Sequence, residues 1–313
     1  MLTFIVRRFL AVIPVFAIIT ILVFLMLRLT PGDPAVAIAG DDATASNLAE
    51  IRQRLGLTDS ILVQFLRWFG NLLHGDLGES FFFKRTVASL IAQRIEPTLA
   101  LAACTILLSV LVAVPLGVLA ASRQGSLLDR AVMGFSVLGF SVPVFVIGYL
   151  MIYVFAIELG WLPVQGYTRI GESFWGFLQR IAMPTLSLTV AYVALIARTT
   201  RSSMLEILHE DFIRTARAKG LPNRTVLLRH ALRNAAIPIL TVIGGGVALL
   251  ISGAVVTESV YAIPGLGRLT IEAVLSRDFP TVQAVILLFS GFYVVVNLLI
   301  DITYTLLDPR IRY

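Results

Sequence analysis

Six long uncharged stretches constrain the fold of this chain more than any other feature. Each is about as long as the ~20 residues that a helix needs to cross ~30 Å of hydrocarbon. Hydrophobic residues make up 58% of the chain and charged residues 14%, far from the composition of a soluble domain. We therefore predict an all-α integral membrane protein with one transmembrane helix for each stretch. The stretches are Phe9–Leu27, Pro97–Ser122, Ala131–Ile157, Ile181–Ala197, Asn234–Thr257 and Phe279–Ile300.

The basic residues predict the orientation of these six helices. Of the 25 lysines and arginines, 14 lie in the segments on one side, including eight between Arg198 and Arg233. Because positive charge in short loops marks the cytoplasmic side, we expect both termini and a loop at 201–237 to be cytoplasmic. The long segment 28–96 is then an extracytoplasmic insert. Orientation accounts for the net charge of +6, so the charge predicts no nucleic-acid partner.

The insert contains a segment with the pattern of an amphipathic helix, Ile61–Leu73. Its apolar residues share one helical face, whereas Gln64, Arg67 and Asn71 lie elsewhere. This pattern predicts a helix on the outer surface of the protein. Two interpretations stay open, a lid that only packs on the helix bundle and a surface that docks an external partner.

The segment between the fourth and fifth stretches has clear helix boundary signals. Asp211 can cap a first helix, Gly220 and Pro222 can end it, and Asn223 can cap a second. We predict a short helix, a sharp turn and a longer helix that continues toward the fifth stretch.

The short helix is strongly basic. Arg214, Arg217 and Lys219 carry charge, while Ala216 and Ala218 keep part of the surface small enough for close approach by another protein. The residues alone allow two interpretations: the helix binds a cytoplasmic protein, or its charges hold the loop against anionic lipid.

The sequence R-T-A-R-A-K-G at Arg214–Gly220 resembles a motif of the inner-membrane permease subunits of ATP-binding-cassette importers, in the peptide, nickel and opine branch. The general motif is E-A-A, three residues, G, nine residues, I, one residue, L-P. Gly220 aligns with the motif glycine, Ala216 with the second alanine and Leu232 with the late leucine. Arg214, Thr215, His230 and Arg233 depart from the general motif, and the stretch Arg214–Gly220 fits the variant that peptide permeases carry.

The resemblance extends along nearly the whole chain. It includes, in the family's order and spacing, Leu29–Pro34, Gly75–Ser80, Pro115–Gly117 and Ile263–Arg268. It implies the type I importer permease fold, with residues 1–313 forming a single transmembrane domain in the cell inner membrane. It also implies that a coupling helix seats in a groove of the ATPase, through Arg214, Thr215, Ala216, Arg217, Ala218, Lys219 and Gly220.

The resemblance implies an assembly of several chains. The expected partners are a second homologous permease, two ABC ATPase subunits and an extracytoplasmic substrate-binding protein, surrounded by membrane lipid. The sequence contains no G-x-x-x-x-G-K-[ST] phosphate loop, so we expect no catalysis by this chain alone. ATP and Mg would be bound by the partner ATPases. His74, His209 and His230 are far apart in the sequence, and we predict no metal site and no cofactor in this chain.

Two stretches carry small residues at about every fourth position, which lets helices approach closely. In the second stretch, this row predicts a helix seam. For the fifth stretch our hypothesis is that the row lines the translocation path, and the alternative is tight packing only. The two rows are Ser109, Ala113, Gly117 and Ala121, and then Gly244, Ala248 and Ser252. The predicted path consists of Gly244, the adjacent Gly245, Ala248 and Ser252.

Peptides are the expected substrates: di- and oligopeptides, glutathione among them. Nickel chelates and opines are the alternative within the same family. From other classes, a self-sufficient secondary carrier is opposed by the few ionisable groups within the stretches. A membrane-embedded enzyme is opposed by the lack of paired catalytic groups in the sequence.

Overall fold

The computed structural model describes residues 2–29, 35–36, 44–54 and 57–307 of the chain. Within those ranges the chain is helical and forms no strand, apart from an isolated bridge between Glu79 and Thr86. Arg310, Arg312 and most of the Leu29–Pro34 segment lie outside the described residues. The helices are α1 Leu2–Leu29, α2 Ala45–Arg54, α3 Ile61–Leu73, α4 Val87–Ser122, α5 Leu127–Ser141, α6 Val144–Met151, α7 Phe174–Leu208, α8 Asp211–Ala218, α9 Leu232–Val260, α10 Leu266–Leu275 and α11 Phe279–Leu307.

Four helical segments of the described chain are long and apolar enough to cross a membrane: α4, α7, Asn223–Ala248 and Phe279–Tyr304. A fifth candidate is the pair of helical segments Leu127–Ser141 and Val144–Glu158, if the bent pair counts as one span. The multi-pass membrane character predicted from composition is therefore confirmed. In α1, the stretch Leu10–Met26 forms a shorter apolar helix.

The prediction of one continuous third span over Ala131–Ile157 is wrong. The chain bends by 100° between α5 and the following helix, which continues from α6 into a π-helical segment, Ile152–Glu158. The break falls at Val142, whose φ of −87° and ψ of 125° are those of an extended residue. Pro143 favours a break here, because a proline ring disfavours helical geometry at the residue before it and supplies no N–H.

The long helices extend beyond the uncharged stretches that predicted them. The fourth stretch, the shortest of the six, lies inside α7, which has 35 residues and includes Arg198 and Arg201. The predicted loop at 201–237 therefore contains the end of α7 and the start of α9. Likewise the predicted insert 28–96 contains the start of α4. Charged residues mark the level at which a helix leaves the apolar region, and α4 and α7 continue beyond that level.

The core is built around α7, which packs against α4, α5, α6 and α9. The predicted seam of the second stretch is confirmed: Ser109, Ala113, Gly117 and Ala121 are all buried. A Cβ at Gly117 would lie only 2.5 Å from the Cβ of Thr200 on α7. Glycine is required there because the two helices approach too closely for any side chain.

At one end of the bundle, hydrogen bonds join the segment between α3 and α4 to the start of α11, and the 159–173 segment to α4. The Asp278 carboxylate, at the start of α11, accepts from the Ser80 hydroxyl at 2.5 Å and the Phe81 N–H at 3.1 Å. Tyr167 donates to Glu96 at 3.3 Å. Burial and the neighbouring Glu96 carboxylate raise the pKa of Tyr167. This end is opposite the basic helix α8.

Candidate functional site

The basic helix α8 is held to the bundle by two residues of its inner side. Ile213 and Ala216 are buried in one core cluster with Met204 of α7 and with Val226 and Ala231. These residues follow the three- and four-residue spacing that places side chains on one helical face. Consequently α8 is held in a fixed position relative to α7 and to the helical segment that follows it.

The other side of α8 is exposed and basic. Six of the seven predicted coupling residues are exposed and form one accessible surface: Arg214, Thr215, Arg217, Ala218, Lys219 and Gly220. Arg214 donates to the exposed Asp211 carboxylate at 3.3 Å, the single ion pair found for this helix among the described residues. Exposed pairs of this kind contribute little to stability. The remaining charge is available to a partner.

The start and end of α8 follow from its boundary residues. Glu210 occupies the N-cap position and Asp211 is the first helical residue, so the prediction that Asp211 caps the helix is wrong. Gly220 has a φ of +74°, the left-handed conformation that glycine adopts without strain. Its N–H donates to Arg217 O at 2.9 Å, and the Leu221 N–H donates to Ala216 O at 3.3 Å. This pair of bonds is a Schellman motif, and it turns the chain sharply.

A continuous helical segment leads from this turn into the membrane. It begins at Asn223, with Pro222 in the cap position, and runs through a π-helical stretch, Val226–Ala231, into α9. The π geometry is visible in the Leu232 N–H, which donates to Leu227 O five residues back. The predicted short helix, sharp turn and longer helix are therefore confirmed, although Asn223 is the first helical residue and not the cap.

The base of α7 is joined to α5 near the same end of the bundle. Arg201 makes two hydrogen bonds to the Asp129 carboxylate, one of them from Nη2 at 2.8 Å, and both side chains are largely buried. The Gly125 N–H also donates to Asp129 at 2.9 Å. A bidentate arginine pair fixes orientation as well as distance. It therefore holds α7 firmly just before α8 begins.

The four residues of the predicted path do not all face the same way. Gly244 is buried against α11, where an added Cβ would lie 1.8 Å from Ile300 Cδ1. Gly245, Ala248 and Ser252 are exposed, and space around Gly245 is open. Their spacing of three and four residues places these three on one side of α9. The structure thus separates a packing glycine from an exposed strip of small residues.

A buried carboxylate that no sequence pattern indicated lies at the far end of α9. Glu258 is fully buried, accepting from the Thr98 hydroxyl at 2.5 Å and the Arg268 N–H at 2.9 Å. Thr98 in turn accepts from the Leu266 N–H at 2.8 Å. Together they bind the free N–H groups at the start of α10, where the helix dipole favours a negative charge.

Gly265 in the Ile263–Arg268 segment makes room for this carboxylate. A Cβ on Gly265 would lie 2.2 Å from the Glu258 carboxyl carbon. The uncharged stretch ended at Thr257 because the next residue is charged, which is why a search for uncharged runs overlooked Glu258. A glutamate at the end of an apolar stretch, seven residues before Gly265, was the signal that could have found it.

Comparison with solved structures supports the fold. The MetNI methionine ABC transporter in an inward-facing conformation matches 70% of this chain and 96% of its own, with a TM-score of 0.58 and 18% identity. An amino acid ABC transporter with histidines matches 69% of this chain and 93% of its own, with a TM-score of 0.51 and 18% identity. Both solved structures are of ABC transporters, and the likeness shows that this chain shares their fold.

The chain belongs to the family of binding-protein-dependent transport system inner membrane components, which matches residues 113–313. The N-terminal membrane component of the same systems matches residues 1–102. The "Probable peptide ABC transporter permease protein y4tP" of Sinorhizobium fredii is 52% identical over 99% of both chains. The glutathione transport system permease protein GsiC of Salmonella paratyphi A is 42% identical over the full length of both chains. The resemblance stated from the motifs is therefore confirmed.

Proposed function

We propose that this chain is the permease subunit of an ATP-driven importer that carries peptides, glutathione among them, across the cell inner membrane. The names of relatives that match it end to end support this substrate class. The observation that carries the mechanism is the exposed basic surface of α8 on a firmly anchored helix. Such a surface suits a protein partner because it is presented in a fixed position.

The coupling site in this proposal is the segment Arg214–Gly220. Its exposed side docks on an ABC ATPase subunit, and two such subunits bind ATP and Mg. A second homologous permease completes the path, and an extracytoplasmic binding protein delivers the substrate. The lipid interpretation of the basic loop is less suitable, because Ile213 and Ala216 fix the helix against protein.

The topology in this proposal has six spans and cytoplasmic termini. At 28 residues α1 is roughly 42 Å long at 1.5 Å per residue, enough to cross a bilayer. The bent pair α5 and α6 supplies the third crossing. This arrangement places α8 in the cytoplasm and α3 and α10 outside.

Transport in this proposal is alternating access driven by movement of α8. The helical segment Asn223–Val260 has α8 beside its first turns and Glu258 at its outer end. When the ATPases close on ATP, α8 moves and this segment reorients the exposed strip of Gly245, Ala248 and Ser252. The strip lines the path because small side chains leave room for substrate. The permease is thus a two-state element that its partners bias.

Uptake assays in cells that express the complete system test this proposal. Labelled dipeptide and glutathione uptake should stop when ATP is depleted and persist when an uncoupler collapses the proton gradient while ATP is maintained. The reverse sensitivities would support a secondary carrier. Competition by a nickel chelate or an opine, without competition by peptides, would move the substrate to the other members of the branch.

A further inference from the structure

The amphipathic helix α3 buries a residue of the side that its sequence pattern marks as polar. Gln64 is only 8% exposed, and its Nε2 donates to Asp59 O at 2.7 Å and to Leu57 O at 3.3 Å. Three leucines of the apolar side are exposed instead. Leu62 is 66% exposed, Leu66 58% and Leu73 71%. A helix of a water-exposed lid would have the opposite arrangement.

The position of α3 places it where the membrane ends. Phe65 and Trp68 pack on Phe24 of α1, with ring centroids 5.3 and 5.6 Å apart. Phe24 lies late in the apolar stretch Leu10–Met26, which exposes Leu10, Ile18 and Leu22 along its length. The exposed leucines of α3 therefore adjoin a surface already suited to lipid.

The tryptophans of the chain mark the same level. The sequence has three, Trp68, Trp161 and Trp175, and all lie in segments at the α3 end of the bundle. Trp161 and Trp175 are each 65% exposed. Tryptophan is enriched at membrane interfaces because its ring is apolar and its N–H is polar. A band of exposed indoles is what a headgroup region would cover.

We propose that α3 lies in the interface of the membrane leaflet at this end, with Leu62, Leu66 and Leu73 inserted toward the acyl chains. The charge distribution favours lipid as the occupant. Arg67, the one charged residue of α3, lies off the leucine side and pairs with Asp59 at 2.8 Å. Interfacial helices combine an apolar face with such a polar one. The assignment goes beyond the proposed transport function and does not depend on which ATPase or substrate is involved.

Spin labelling of the complete transporter in phospholipid vesicles tests this assignment. Cys104 is the single cysteine of this chain, so a Cys104→Ser background with partner chains made free of cysteine allows one label at a time. Labels at Leu62→Cys, Leu66→Cys and Leu73→Cys should collide with oxygen, which partitions into lipid, and resist a water-soluble nickel complex. Asn71→Cys and Arg67→Cys, off the leucine side, are matched controls that should be accessible to the nickel complex. We expect the ratio of the two collision rates to differ severalfold between the sets.

Two results would overturn the assignment. Nickel accessibility of the leucine positions would show that α3 faces water, and inaccessibility to both reagents would show that a protein covers it. Substitutions at exposed positions are expected to preserve the fold, and uptake by each labelled variant checks this. Because the collision rates are measured whether or not ATP drives uptake, failure of the transport mechanism is distinguishable from failure of this proposal.

Discussion

At the scale of single residues, two adjacent glycines of α9 have different expected roles: Gly244 in packing and Gly245 in transport. Replacing Gly245 with leucine should abolish uptake while leaving the yield and thermal stability of the complex unchanged. The structure has nothing within 4 Å of an added Cβ there, so the new side chain fits the fold and obstructs only the proposed path. Uptake and thermal melting of the purified complex measure the two effects.

Gly244→Leu is the matched control for this substitution. Its side chain would collide with Ile300, so we expect a loss of about 1–3 kcal/mol of stability and a lower melting temperature. Normal uptake by the Gly245→Leu variant would contradict the path assignment. Equal destabilisation by the two variants would show that both glycines serve packing.

Glu258 gives a second prediction at this scale. Glu258→Ala should leave the Arg268 N–H without its acceptor and free the Thr98 hydroxyl, at a cost of about 1–3 kcal/mol for each buried group left unpaired. Glu258→Gln keeps one acceptor oxygen and should cost less. Thermal melting of the purified complex should therefore rank wild type above glutamine and glutamine above alanine. Indistinguishable melting of the alanine variant would show that the carboxylate is not a structural anchor.

Glu258 also shows where sequence reasoning stops at the residue scale. The motif containing Gly265 was evident in the sequence, and its order along the chain identified the family. The reason for the glycine was not evident, because it depends on a carboxylate from α9 and a threonine from α4. Contacts between residues distant in sequence have no local pattern. They require the fold.

At the scale of elements, the surface of α8 should bind its ATPase through charge. The double substitution Arg217→Glu and Lys219→Glu reverses two exposed charges without touching the buried Ile213 and Ala216. Affinity purification of the permease should then recover about tenfold less ATPase, equivalent to about 1.4 kcal/mol of binding free energy. Arg85→Glu, an exposed reversal at the opposite end, is the control. Wild-type recovery from the α8 variant would count against docking on this face.

The Asp129 and Arg201 pair should act as a joint between α5 and α7. Asp129→Ala leaves a largely buried guanidinium without its partner, so we expect a loss of about 3 kcal/mol. Exchange of the two residues should restore part of that stability, as measured by melting of the purified complex. Arg130→Ala, at the exposed neighbouring position, should be silent. An Asp129→Ala variant as stable as wild type would show that this pair does not hold α5 and α7 together.

Elements were predicted well where a pattern is local. The predicted helix Ile61–Leu73 matches α3 residue for residue, because its amphipathic period and flanking residues are all in the segment. The third stretch failed because counting uncharged residues ignores Pro143. Yet α4, α7 and α9 contain prolines and remain helical, so a proline alone does not determine where a helix breaks. Packing around the break also contributes. Tyr261 donates to Gly148 O at 3.1 Å and contacts Ser187 at 2.8 Å, and these contacts fix α6 in its bent position.

At the scale of the whole molecule, one long helical segment connects the two ends of the helix bundle. It runs from Asn223, beside the coupling turn, to Val260, beside the Glu258 anchor. Movement of α8 would be carried by this segment to α10 and α4 at the other end. The order of motifs along the sequence predicted the family, whereas this mechanical connection depends on buried contacts at both ends.

The most direct test of coupling to an ATPase through α8 is affinity purification of this chain from its native membrane in mild detergent. Mass spectrometry then identifies the bound proteins. We expect recovery of a P-loop ATPase and a second permease, with a co-captured binding protein indicating the substrate. A homo-oligomer of this chain that retains no ATPase would contradict coupling through α8 and return a self-sufficient carrier to first place.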